Sequence, residues 1–347
     1  MSQTKVENIW YTRCPVPTPL GLAAREGWID KEFAADGITI KTLQDTQDPE
    51  IRESHYDHRL PHSFRQGGNV PAIWARANGT DTKVIGLNWV DEAQLILALP
   101  GSGITSPADL KGKRIALPRN AISIDHQRAS ALRGIIVTLE TAGLTDKDVE
   151  LVDFDVPVAP VGEGWAGWST GRRVAYSTEF DALNSGKVDA IFVKGARGYE
   201  AAVTNGTTIV YDVRNHPDRK VRANNGAPRP ITVDGALLRE RPDLVVRFLG
   251  RILAVDAWAK THEAETVAYI AKESGSTDEW VRKAYGTGNN VHLQQGTDLD
   301  PLNIEALSGY KDFLLQWGFL KADFDVNDWI DPNPLQQLLA GEAKKAA

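Results

Sequence analysis

Short β-forming runs alternate with stretches of helical spacing along most of this 347-residue chain, and that alternation restricts the fold more than any single motif. Residues 6–12 read as a strand. A helix over about 18–34 follows, with Leu20, Ala23, Ala24, Trp28 and Phe33 at roughly helical spacing, and Asp36-Gly37 closes it. Next come strand 38–43, helix 70–77, strand 83–89 and an extended run 94–100. Ser106-Pro107 opens a one-turn helix, strand 113–117 follows, and helix 124–142 closes at Gly143 before strand 149–154. The stretch 156–173, rich in Pro, Gly and Trp, reads as an irregular loop. Helix 178–186, strand 188–193, helix 196–204 and strand 207–213 complete a second α/β unit. From Arg239 onward the chain reads as helices, with Trp258, Trp280 and Trp317 on their faces. The pattern predicts an α/β fold of mixed, mostly parallel sheets flanked by helices, with a helical C-terminal region.

A chain of this length, 42% hydrophobic, buries a large core and is expected to make two domains. The net charge of −7, with no long basic run, argues against nucleic acid and anionic membranes as partners. One cysteine excludes an intrachain disulfide, so nothing requires an oxidising compartment. The first residues enter a strand with no apolar signal region, and no run of about 18 apolar residues occurs. These features lead to the expectation of a cytoplasmic monomer without membrane insertion.

Chemistry concentrates in residues 6–79. A lone cysteine is ordinarily a small buried hydrophobe. Cys14, however, falls at the carboxyl end of the first strand, just before a proline-opened helix. Ligands of open α/β sheets bind at strand carboxyl ends, and a helix N-terminus favours the thiolate; Arg13 and Arg65 add positive charge. The residues alone leave both readings open. His55, His58 and His62 stand at i, i+3 and i+7, a spacing that allows a metal on one helical face. Pro61 interrupts that helix and no acidic or Cys ligand completes a set, so no metal is expected and His55 is read as a partner of the thiol or substrate. Arg65 with Gly67-Gly68 and the helix after Asn69 makes an oxyanion site, although Gly-Gly is ordinarily a turn. Asn120 and Ser123, at the start of helix 124–142, face a ligand or simply cap the helix. The run Gly162-Glu-Gly-Trp-Ala-Gly-Trp168 covers an aromatic ligand or packs on the surface; the residues do not separate the two.

Ser106-Pro-Ala-Asp-Leu-Lys-Gly-Lys-Arg-Ile-Ala116 and Asn184-Ser-Gly-Lys-Val-Asp-Ala-Ile-Phe192 resemble the second domain of type II periplasmic binding proteins of the sulfonate, nitrate and thiamine-precursor group. The run Arg239–Leu249, Trp258 and the helix Glu263–Ser274 resemble their C-terminal helices. A narrower resemblance is to the aromatic sulfinate desulfinases, which release sulfite from hydroxybiphenyl sulfinate. It is carried by Tyr11-Thr-Arg-Cys-Pro-Val-Pro17, by His55 and Arg65-Gln-Gly-Gly-Asn-Val-Pro71, and by Asp300–Leu307, Phe313-Leu-Leu and Asp328-Trp329. The stretch between Cys14 and His55 is longer than expected of that family, and Lys194 stands where Trp and Pro are usual, which implies a more polar or more anionic substrate.

The resemblance implies a two-lobed fold, with residues 1–95 and 215–347 in one lobe, 96–214 inserted as the other, and a cleft between. It implies a cofactor-free hydrolase acting on an aromatic sulfinate or sulfonate-like anion. Cys14, His55 and Arg65 are then catalytic, and Gly67, Gly68, Asn120, Ser123 and Lys194 bind substrate. The alternative is a non-catalytic solute-binding protein for a sulfonate, nitrate or aromatic anion. A thiamine-pyrimidine enzyme on this scaffold would require a Cys-rich iron segment, which one cysteine cannot supply.

Overall fold

The computed structural model describes residues 4–14, 16–157 and 175–346. In chain order the strands among these residues are β1 (Asn8–Arg13), β2 (Thr39–Thr42), β3 (Ser63–Gln66), β4 (Thr82–Asn88), β5 (Gln94–Ala98), β6 (Arg114–Arg119), β7 (Glu150–Asp155), β8 (Ala190–Lys194), β9 (Thr208–Asp212) and β10 (Arg229–Asp234). They form two five-stranded sheets, ordered β2-β1-β3-β10-β4 and β7-β6-β8-β5-β9. β10 runs antiparallel to both of its neighbours, and so does β5, while the remaining pairs are parallel. In each sheet four strands therefore run one way and one is reversed. This is the mixed, mostly parallel α/β architecture that the alternation predicts.

The chain divides into two compact units, Met1–Val90 with Gly226–Tyr269 and His292–Ala347, and Asp91–Asn225 with Ile270–Val291. Each unit holds one sheet. The reversed strand is in both cases the first one entered after the chain changes unit, β5 after Val90 and β10 after Asn225. Among the described residues no helix is long and apolar enough to cross a membrane.

In the first unit Phe64 of β3 stacks on Phe248 of the helix Pro242–Ala259, with ring centroids 3.8 Å apart, and Phe33 packs against the same ring. Burying each such ring contributes about 2–3 kcal/mol. Trp329 is fully buried and donates its indole N–H to Thr82 Oγ1 at 3.1 Å. In the second unit Gly134 of the helix His126–Glu140 lies against Phe192 of β8, where a Cβ would come within 2.1 Å of the ring. Glycine there sets how closely helix and sheet approach.

The stretch expected as one helix over 18–34 is two, Pro19–Arg25 and Trp28–Phe33, because Gly27 takes a left-handed conformation (φ 69°) between them. The helix Pro49–Asp57 and the strands β3 and β10 were not among the expected elements. β3 reads Ser-Phe-Arg-Gln, without apolar alternation, and β10 carries Pro230 in a strand paired on both sides. The Trp-rich run 162–168, read as covering an aromatic ligand or packing on the surface, lies outside the described residues.

Candidate active site

β1 and β3 pair in parallel with Thr12 opposite Arg65 and Arg13 opposite Gln66. Side chains along a strand alternate between faces, so Thr12 and Cys14 share a face, and Arg65, level with Thr12, points to the same side. The Cys14 N–H continues the ladder to the Gln66 carbonyl at 3.4 Å. The helix Pro49–Asp57 lies on this face. Asp48 caps it through the Glu50 N–H at 2.9 Å, and its last turn presents His55.

The side chains converge on one sulfur. Arg65 Nη2 lies 3.7 Å from Cys14 Sγ and His55 Nε2 lies 3.9 Å from it. The other His55 ring nitrogen, Nδ1, is 3.2 Å from Thr12 Oγ1. Arg65 also donates from Nε to the His55 carbonyl (3.1 Å) and from Nη1 to the Gly68 carbonyl (2.9 Å). Cys14, His55, Arg65 and Thr12 are all buried, the guanidinium to 3% exposure. No carboxylate lies within ion-pair distance of Arg65 among the described residues. Burial lowers the Arg65 pKa, opposed by the Cys14 sulfur and the Tyr56 phenol. A guanidinium carries five N–H donors. Three of Arg65's are engaged here, which leaves one on each terminal nitrogen.

Gly67 is packed against the thiol. A Cβ there would fall 2.0 Å from Cys14 Sγ and 2.9 Å from Cys14 Cβ, so only glycine lets the sulfur occupy this position. Gly68 is the N-cap of the helix Asn69–Ala77, and its carbonyl holds Arg65.

The remaining expected site residues lie in the second unit. Lys194, the last residue of β8, is held by Glu92 at 2.9 Å, with the carboxylate 5% exposed and the ammonium 18% exposed at the side chain. That carboxylate offsets the ammonium's charge and takes one of its three N–H donors. Asn120 follows β6 and binds Asp125 through both its backbone N–H (2.6 Å) and its side-chain amide (2.9 Å). Asp125 in turn caps the helix His126–Glu140. Ser123 is exposed between them. His58 and His62 both take left-handed backbone conformations beyond the end of the helix Pro49–Asp57, so the three histidines share no helical face.

Three residues belong to the site that the sequence reading passed over. Thr12 orients His55, and period-two spacing from Cys14 along the first strand was the available signal. Tyr56 packs edge-on to His55, and its phenol pKa is raised by burial and then by Cys14 and Glu53. His58 is buried beside Arg65, and burial together with that guanidinium holds its imidazole well below its usual pKa.

A family model described as NMT1/THI5 like matches residues 18–171. Over an alignment of 361 residues, covering 96% of this chain and 94% of the relative, the chain is 27% identical to 2'-hydroxybiphenyl-2-sulfinate desulfinase of Rhodococcus erythropolis. The chain is thus similar over nearly its whole length to an aromatic sulfinate desulfinase. The crystal structure of the desulfurization enzyme DszB superposes with a TM-score of 0.75 at 25% identity, covering 97% of this chain and 99% of that one. The periplasmic aliphatic sulphonate binding protein SsuA from Escherichia coli superposes at 0.67 and 16% identity, covering 94% of this chain and 92% of that one, and shows the shared fold. The desulfinase relative thus has the type II periplasmic-binding-protein fold that its sequence segments implied.

Proposed function

We propose that this protein is a desulfinase that hydrolyses the carbon–sulfur bond of an aromatic sulfinate and releases sulfite. The observation that carries the reading is the convergence of Arg65, His55 and Gly67 on the sulfur of Cys14, on a chain related over 96% of its length to a sulfinate desulfinase. The remaining N–H on each terminal nitrogen of Arg65 suits an anion with two oxygens, and a buried cation lacking a carboxylate favours such a ligand. We assign the Gly68 amide, at the N-cap of the helix Asn69–Ala77, as a further donor to the same anion.

The net reaction, ArSO2− + H2O → ArH + HSO3−, needs no oxidant. In the first step the Cys14 sulfur bonds to the sulfinate sulfur as the aryl–sulfur bond breaks, and the thiol proton passes through His55 to the aryl carbon. In the second, water attacks the resulting Cys–S–SO2− group, giving bisulfite and restoring the thiol. His55 handles the proton in both, a role worth about 10²–10⁴ in rate. We place this chemistry in the cytoplasm, where a lone thiol stays reduced. The fold shared with sulfonate-binding proteins supports one second reading, reversible binding of a sulfonate-like anion without turnover.

Sulfite release from a panel of aryl and alkyl sulfinates, measured for wild type beside Cys14→Ser, tests the proposal. Release from an aryl sulfinate that falls by about 10³ or more in Cys14→Ser, with binding retained, is expected. Full release by Cys14→Ser overturns the mechanism. No release by wild type, with reversible sulfonate binding that survives the substitution, selects the binding protein instead.

A further inference from the structure

In the first unit, reached by Thr12 and Arg65 of the site, lies a cavity of ≈10 Å³ whose polar lining also includes His58, the Asp234 carboxylate and the hydroxyls of Ser54, Ser63, Thr82 and Thr232. That is the room one water molecule needs, and its lining is polar enough to hold one. His58 makes the case specific. It is 5% exposed, its backbone N–H bonds the Ser54 carbonyl at 3.1 Å, and neither ring nitrogen has a hydrogen-bond partner. The His55 carbonyl lies near enough to favour the protonated imidazole, and Arg65 Nε donates to that same carbonyl. A neutral imidazole has one donor and one acceptor to satisfy. His58 and Asp234 also line a larger, solvent-facing hollow of ≈270 Å³ bounded by Arg59, Asn78, Thr80 and Asp81.

We propose that the small cavity binds one internal water molecule bonded to His58, and that Thr12 links this water to His55 and through it to the thiol. A hydrogen-bonded line then runs from solvent at the large hollow through His58, the water, Thr12 and His55 to Cys14. Only its last two contacts are direct in the protein, Thr12 to His55 at 3.2 Å and His55 to Cys14 at 3.9 Å. The line supplies and removes protons at the thiol. Its catalytic consequence rests on the desulfinase reading, but the water site and the coupling do not.

Two measurements test the proposal. A crystal structure that resolves waters is expected to show one within hydrogen-bonding distance of a His58 ring nitrogen and a cavity hydroxyl; a dry cavity overturns the site. Because Cys14 is the only cysteine, iodoacetamide alkylation as a function of pH reads this thiol alone. Among the described side chains, His55 and Tyr56 from the helix Pro49–Asp57 and Arg65 from β3 face the thiol, and Asp234 from β10 lines the cavity beside His58. Thr12→Val leaves the imidazolium Nδ1–H without its acceptor, so the alkylation midpoint is expected to rise by about 0.5–1 pH unit. His58→Phe fills the cavity and raises the midpoint less, and Thr12→Ser restores the wild-type curve. Midpoints unchanged in both Thr12→Val and His58→Phe overturn the coupling. A wild type that shows the shift pattern but releases no sulfite overturns the desulfinase reading and leaves this inference standing.

Discussion

The two sheets repeat one plan and differ in how each treats a cation on its central strand, buried in one and partly exposed in the other. β3 and β8 occupy the same place in their sheets, each between the parallel pair and the reversed strand. Arg65 of β3 meets a thiol and two carbonyls, and Lys194 of β8 meets a carboxylate. The residue after the neighbouring strand differs in step: Cys14 follows β1 and joins the site, whereas Asn120 follows β6 and joins a helix cap through Asp125. Among the described residues, the same strand place thus carries a cation with no carboxylate within ion-pair distance in one unit and an ion pair in the other. The charge balance around the cation, more than its place in the fold, distinguishes a ligand site from a structural pair.

Breaking the first half of this comparison gives the largest expected effect. Arg65→Gln removes the guanidinium fork, and kcat/KM for sulfite release is expected to fall by about 10³ or more. Because burial already works against the Arg65 charge, the melting temperature should move little, by the equivalent of about 1 kcal/mol. A variant that unfolds while the residual folded fraction keeps full turnover would reverse the assignment.

The second half predicts the opposite pattern. Lys194→Met strands Glu92, which is 5% exposed, and denaturant titration should show a loss of about 3 kcal/mol with KM for the sulfinate unchanged. The double variant with Glu92→Gln should regain most of that. A KM raised tenfold or more without loss of stability would instead make Lys194 a ligand group.

A smaller effect comes from the second unit's own unbalanced charge, the acid Glu179 in the helix Ser177–Asn184. Its carboxyl is 8% exposed, and burial raises its pKa from 4.5 to about 7. The folded state therefore holds this proton more tightly than the unfolded chain. Stability is favoured below the unfolded value and declines as pH rises through the folded one, by at most about 3 kcal/mol. Glu179→Gln, which mimics the protonated acid, should melt higher than wild type at pH 8 and alike at pH 4, below the unfolded value. Equal melting temperatures at both would show that the carboxyl is ionised without penalty.

Much of the fold was legible because its signals are local. Apolar periodicity and glycine stops at Gly37 and Gly143 marked most elements to within a few residues. Where the reading erred, a long-range contact outweighed the local preference. Gly27 breaks a run of otherwise helical spacing, and Pro230 sits in a central strand whose register shifts next to it, between Ile231 and Thr232. β3 has almost no strand character of its own. It is a strand because β1 and β10 flank it and Phe248 covers Phe64.

By itself, then, the sequence determined the α/β class, the strand-end position of its one cysteine, and the cluster of histidine, arginine and glycine that follows. Those are properties of neighbouring residues, set by backbone preference and side-chain period. Only the tertiary structure decided that Cys14 and Arg65, 51 residues apart, meet at 3.7 Å, that Thr12 holds His55, and that Lys194 already has a partner. Parallel strand pairing is a nonlocal choice of register, made by the burial of a whole sheet. No single segment carries the information that selects it.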